Sequence, residues 1–201
     1  MKNYVCINGN KIKLTDEQIT QIRKSVIPRA FKLSDKAVGD TFKIGDYEFV
    51  VLEHSKETTA VILKGILEES KFGSNNCDFK TSIVKTKLEE FQAKITSIIG
   101  EENLIEHTVD LTSNDGLKDY GTTRSKMSLL TADLYRRYVE ILDIVKPQKW
   151  WWLVTPYSTP RHECEALNTC VSPRGNVSDY IYYVSVGVRP FCILNSNIFV
   201  S

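Results

Sequence analysis

Chemistry in this 201-residue chain concentrates near its C-terminus, where histidine, cysteine, arginine and tyrosine crowd together. His162-Glu163-Cys164, followed by Cys170, is the cluster with metal-ligand character, because two thiolates and an imidazole suit zinc or copper. No second cysteine pair completes a four-ligand site, so two free thiols in a loop is the plainer reading of the same residues. Arg189 lies between Gly187-Val188 and Pro190, and its guanidinium has the shape to clamp a carboxylate or phosphate. Its structural alternative is a tie to backbone carbonyls or to a carboxylate such as Asp40; Pro190 fixes the local backbone and favours that alternative. His54 and His107 stand alone and are expected to be surface or hydrogen-bonded side chains. Tyr157, Tyr180, Tyr182 and Tyr183 suit a protein or sugar epitope if exposed, and sheet packing if buried. No serine or threonine sits in a nucleophile-elbow pattern and no glycine-rich phosphate loop is present, so residue types define no catalytic centre.

The whole chain narrows the classes further. Lys and Arg number 26 against 25 Asp and Glu, without a basic stripe, which argues against a nucleic-acid partner. No apolar run approaches the roughly 18 residues that span a bilayer, so no membrane partner is expected. The cysteine count is odd and Met1-Lys2-Asn3-Tyr4-Val5 opens without an apolar leader, which together predict a reducing cytosol. Incorporation into a particle assembled there is equally compatible.

Several elements must position these residues. Tyr4-Val5-Cys6-Ile7 and Lys11-Ile12-Lys13-Leu14 flank Asn8-Gly9, a hairpin signal, because both turn residues tolerate positive φ. Thr15 and Gln18 form a capping-box pattern for a helix reaching about Val26, with Ile19, Ile22 and Val26 on one side. Residues 1–31 are therefore predicted as a small ββα unit, with a polar link at 32–36 and a second domain over 38–201. In that domain Gly45-Asp46 joins two strands, 41–44 and 47–52, and 59–67 reads as a strand passing into a turn. Over 81–99, Val84, Leu88, Phe91, Ile95 and Ile98 fall on one helical stripe, with Gly100 as the cap. Residues 104–111 read as a strand. Met127-Ser128-Leu129-Leu130 reads as a strand end before a helix capped at Thr131 that carries Leu134, Tyr135, Tyr138, Val139 and Leu142. In a strand, Trp150 and Trp152 share one face and Trp151 takes the other.

The ordered motifs resemble a domain of unknown function common in bacteriophage genomes and in low-GC Gram-positive bacteria. Gly39-Asp40, Gly45, Tyr47, Phe49, Val51 and Leu52 match its opening strand pair, and Ile66-Leu67-Glu68 and Leu129-Leu130-Thr131 match its middle. Its strongest signature, Trp-Trp-Leu-Arg-Ser-Pro followed by Gly-Val-Arg-Pro, is matched by residues 151–156 and 187–190, with Val154 and Thr155 in place of Arg-Ser. The likeness covers about residues 38–194. It implies an α+β, C-type-lectin-like mixed fold with paired N- and C-terminal strands, in which 47–52 lies beside 188–194.

The same resemblance implies a phage-related protein-binding module in the host cytoplasm or a virion, recognising a host or phage protein through the 157–179 region. Its candidate contacts are Tyr157, Arg161, His162, Arg174, Tyr180 and Arg189. Two other functions follow from the family layout. One is a virion structural component that forms a homo-oligomer. The other is a copper-dependent thiol oxidase of the sulfatase-modifying type, using Cys164 and Cys170.

Overall fold

The computed structural model describes residues 4–7, 10–19, 21 and 31–201. At the N-terminus, β1 (Tyr4–Ile7) and β2 (Asn10–Lys13) pair antiparallel, Tyr4 opposite Lys13 and Ile7 opposite Asn10. The capping box forms as its sequence pattern predicts. The Thr15 N–H donates to Gln18 Oε1 at 3.0 Å, and the Gln18 N–H to Thr15 Oγ1 at 3.2 Å. The Asn8-Gly9 turn and the apolar positions Ile22 and Val26 lie outside the described residues.

The stretch expected as a polar link belongs to the main body instead. β3 (Phe31–Lys32) pairs antiparallel with β17 (Phe199–Val200), and the 3-10 turn Leu33–Asp35 sinks Leu33 into the core. One leucine among polar neighbours is enough to dock a segment that the average polarity of 32–36 marked as free. Among the described residues the packed body therefore takes in 31–35 as well as the expected 38–201, and the two ends of 31–201 lie side by side.

Two sheets organise that body. The six-stranded sheet runs in the order β11 (Met127–Ser128), β16 (Phe191–Asn195), β6 (Thr58–Leu63), β5 (Tyr47–His54) and β4 (Thr41–Ile44), with β8 (Leu104–Ile105) also on β16. The expected neighbour of 47–52 was 188–194, but β6 lies between them. A short turn joins β5 to β6, so their pairing closes the smaller loop, and the C-terminal strand takes the edge of β6 that remains. The five-stranded sheet runs β14 (Val177–Ile181), β13 (Leu167–Val171), β12 (Trp151–Pro156), β15 (Val186–Val188) and β7 (Glu68–Ser70), with β12 and β15 parallel. A separate ribbon pairs β9 (His107–Asp110) with β10 (Thr122–Ser125).

Both faces of the six-stranded sheet are covered, which is why β5 reads as continuous apolar residues at Phe49-Val50-Val51-Leu52 rather than alternating. Phe49, Val51 and Leu63 pack on α1 (Ile83–Ile99) through Val84, Leu88, Phe91 and Ile95. Val50, Leu52, Ile62 and Phe191 pack on α2 (Ala132–Arg137) and α3 (Val139–Ile144) and on Trp151 and Leu153. The α1 stripe matches its spacing except at Ile98, which is 53% exposed, with its Cδ1 over Gly45. The single helix expected after Thr131 breaks at Tyr138 into two short ones, and Val139, expected to face inward, is exposed. Trp151 and Trp152 do take opposite faces: Trp151 meets Tyr135, and Trp152 meets Phe72 while its Nε1–H donates to Ser70 O at 2.9 Å.

Arg189 occupies the crossing between the sheets and is fully buried. Its Nε–H donates to Leu63 O at 2.8 Å, its Nη2 to Lys64 O and Val145 O at 3.1 Å each, and its guanidinium lies 5.0 Å from the Trp151 ring centre. The guanidinium is thus the structural tie to backbone carbonyls that Pro190 favours rather than a carboxylate clamp, and Asp40 is not its partner: Asp40 Oδ2 accepts the Ala37 N–H. Of the two isolated histidines, His54 bridges Lys36 O and Thr59 Oγ1, and His107 is half-buried, bonded to Ser128 Oγ at 3.0 Å.

Two outcomes follow for stability. Arg189→Lys keeps the charge but cannot span three carbonyls, so urea unfolding should register a loss on the order of 3 kcal/mol. Burial holds the His107 pKa below its usual 6.5, so the native state resists a proton that the unfolded chain accepts. Its contribution is full above pH 6.5 and is lost as pH falls through the lowered native value. Urea midpoints measured from pH 8 to pH 5 should decline less steeply in His107→Gln.

Candidate functional site

The region expected to be an irregular loop over 157–179 contains two strands. Residues 167–171 form β13, with Asn168, Thr169 and Cys170 fully buried, and 177–181 form the edge strand β14. The polar Asn168-Thr169 pair belongs to a central strand whose side chains bond internally: Asn168 Nδ2 donates to Leu153 O at 2.8 Å. The loop proper is 157–166. It leaves β12 at Tyr157, whose N–H donates to Leu167 O, and Pro160 opens a 3-10 turn over Pro160–His162. Glu163 closes that turn in the left-handed region at φ 53°, where a non-glycine residue is strained.

Two aspartates from the 113–119 turn hold this loop. Asp115 Oδ2 accepts from Ser158 Oγ at 2.5 Å and meets His162 Nδ1 at 2.9 Å, and its Oδ1 accepts from Ser113. Asp119 Oδ2 accepts from Thr159 Oγ1 at 2.6 Å, and its other oxygen pairs with Arg161. The turn is itself fixed to the sheet: the Asn114 N–H donates to Pro156 O at 3.0 Å and Asn114 Nδ2 to Thr169 Oγ1 at 2.7 Å. The Ser113 hydroxyl first, then that of Ser158, keeps the Asp115 carboxyl well below the usual carboxylate range, against the opposing pull of burial. Ser158 and Thr159 are buried anchors, whereas the Arg161 and His162 side chains and Tyr157 reach solvent.

The structure brings some of the predicted contact residues together and separates others. Tyr157, Arg161 and His162 share the clamped loop, and Tyr180 lies on β14 opposite Asn168, with its ring 5.1 Å from that of Trp150. Arg174 is exposed at the opposite end of the β13–β14 hairpin, beside Gly175, whose carbonyl accepts the Tyr135 hydroxyl. Arg189 is in the core. A cleft of about 390 Å³ is lined by Asn114, Asp115, Tyr157, Ser158, His162 and Cys164.

The expected metal ligands do not converge. His162 Nδ1 is committed to Asp115, and Cys170 is fully buried on β13, with burial, then the Asp179 charge, pushing its thiol up to about 12. Among the described residues no group of three or more His, Cys, Asp or Glu is arranged to hold a metal ion. Cys164 and Cys170 are both free thiols, the first half-buried and the second enclosed. Asp115, Asp119, Ser158 and Thr159 were missed as site residues, because Asn114-Asp115-Gly116 reads only as a turn and the partners of these aspartates lie 40 or more positions away. Two aspartates within one short turn are the one local signal that pointed there.

Asp115→Asn removes an acceptor held below its usual pKa, so its contribution exists above pH 3.8 and disappears as pH falls through the lowered value. Because the site is partly exposed, chemical denaturation at pH 7 should show a loss of about 1–2 kcal/mol, narrowing below pH 3.8.

No family model, no curated protein and no solved structure matches this chain.

Proposed function

We propose that this chain is a protein-binding module of phage-related type that captures a host or virion protein through the surface made by Tyr157, Arg161, His162 and Tyr180. The observation that carries this reading is the double aspartate clamp. Asp115 and Asp119 fix the 157–166 loop from beneath while leaving aromatic, guanidinium and imidazole groups facing solvent. A surface ordered before binding loses little conformational entropy on association. Tyrosine and arginine are the residue types that carry most binding energy at protein interfaces. Tyr180 extends the patch along an edge strand, and its packing on Trp150 holds the ring in place.

The recognition surface is narrower than the 157–179 span suggests, because β13 is part of the core and removing it would dismantle the five-stranded sheet. Point substitutions at exposed rings are the suitable probe. The protein is immobilised, captured host and phage proteins are identified by mass spectrometry, and the dissociation constant of the enriched protein is measured. Tyr157→Ala with Tyr180→Ala should weaken that complex at least about tenfold with the melting temperature little changed. Equal affinity in the double variant would remove this surface from the binding role.

A further inference from the structure

The five-stranded sheet ends on one side in a strand whose outer backbone has no partner among the described residues. In the order β14-β13-β12-β15-β7, β14 pairs with β13 alone, Val177 opposite Val171 and Ile181 opposite Leu167. Two bonds fix the phase of that ladder: the Ser172 N–H donates to Asn176 O and the Tyr182 N–H to Ala166 O, both at 2.9 Å. Hydrogen-bonded residues alternate along an antiparallel pair, so Ser178 and Tyr180 bond inward to β13, and Val177, Asp179 and Ile181 turn their backbone groups outward. The Ile181 carbonyl accepts the Val184 N–H at 3.0 Å. The N–H groups of Val177, Asp179 and Ile181 and the carbonyls of Val177 and Asp179 have no partner among the described residues.

Such a row is a template for another strand, and folded chains normally blunt it with charge, proline, shortness or a cover. The other ends of the two main sheets are blunted in this way. β7 has three residues, of which Glu68 and Glu69 pair with Lys87 and Lys149. β11 has two residues, and β4 exchanges backbone bonds with Ser201 through Lys43. β14 has five residues with no lysine or proline, and it exposes Val177 and Tyr180, with Tyr183 and Val184 exposed just beyond it.

Charge decides what fits this edge. Asp179 stands at its middle and forms no ion pair among the described residues. A second copy laid antiparallel so as to use every free group would set Asp179 opposite Asp179, and like charges directly opposite are destabilising. A segment with lysine or arginine at that position gains an attractive cross-strand pair instead. Val177 and Ile181 flank Asp179 on one face of the sheet and Tyr180 lies on the other, so an added strand meets apolar side chains on both faces. We propose that β14 holds its partner by strand addition: an extended segment of the bound protein, with a basic residue opposite Asp179 and β-branched or aromatic neighbours, becomes the next strand of this sheet. The inference rests on the binding role proposed above and names how the partner is held, since Tyr180 belongs to both surfaces.

The probe is a synthetic, acetylated and amidated peptide, Ser-Thr-Val-Lys-Val-Thr-Ser, with a counterpart carrying Glu in place of Lys, each titrated into the full chain. Amide hydrogen exchange at Val177, Asp179 and Ile181 should be fast without peptide and slowed by the Lys peptide, while Ser178 and Tyr180 stay protected throughout. The Lys peptide should bind about fivefold more tightly than the Glu peptide, and Asp179→Asn, which keeps the N–H, should bind the two alike. Asp179→Pro deletes an outward N–H at a place where an edge strand tolerates proline, and it should weaken the Lys peptide about tenfold with the melting temperature little changed. If that variant does not fold, the exchange pattern of the unaltered chain decides. No peptide binding, binding without protection of the Val177, Asp179 and Ile181 amides, or equal affinity of the unaltered chain for the two peptides would overturn the proposal. So would protection that appears without peptide and grows with protein concentration, which assigns the edge to a second copy. Peptide bound at the Tyr157 and Tyr180 rings with the edge amides unprotected would remove strand addition and leave the contact surface standing. Edge protection by the Lys peptide, with protein capture indifferent to Tyr157→Ala and Tyr180→Ala, would do the reverse.

Discussion

Arg189 sits where the chain crosses from one sheet to the other, and the arrangement of both sheets depends on how its charge is accommodated. β15 ends at Val188 in the five-stranded sheet, and β16 begins at Phe191 in the six-stranded one. Between them the guanidinium is withdrawn from water, which pulls its pKa down to about 10, and it is compensated by three carbonyls rather than by an acid. Those carbonyls come from the end of β6 and the end of α3, so one side chain fixes both sheets and a helix terminus. Arginine suits the position because its planar fork reaches several acceptors at once and its face lies against Trp151. Pro190 contributes on the backbone side, since its carbonyl accepts the Leu63 N–H at 2.8 Å.

This crossing brings apolar layers together on both sides of the six-stranded sheet. β5 and β6 are buried on two faces, α1 closes one, and α2 and α3 with the Trp151 side of β12 close the other. A side chain of Val, Leu or Phe size stabilises by about 1.5–3 kcal/mol when fully buried, and the central strands supply several in succession. The pairing of β3 with β17 then adds few hydrogen bonds, but it brings Leu33 under cover and joins the two ends of 31–201.

The candidate site is supported on this framework rather than being part of it. β12 delivers Tyr157 at its end, and β13 supplies Thr169 to anchor Asn114, so the 113–119 turn and the 157–166 loop are each tied to the same sheet before they are tied to each other. Hydroxyls and carboxylates do the joining, which leaves the larger aromatic and cationic groups outward. The same clamp that orders a contact surface also selects the His162 tautomer.

Local pattern alone determined the elements whose information is contained within a few residues: the Thr15–Gln18 capping box, the turn at Gly45-Asp46, the α1 stripe from Val84 to Ile95, and the alternation of Trp151 with Trp152. It also marked Arg189 as a framework residue, because a neighbouring proline constrains the backbone whatever surrounds it. Tertiary structure decided the rest. The order of strands around β6, the docking of Leu33, and the conversion of 167–171 from expected loop to buried strand all depend on partners distant in sequence. The site followed the same division. Tyr157, Arg161, His162 and Cys164 were legible as chemically able residues, but Asp115 and Asp119 were not, since a carboxylate's role is set by the donors that reach it. A short-range pattern records backbone preference and amphipathic spacing; it carries no trace of hydrogen bonds formed across 40 residues of intervening chain.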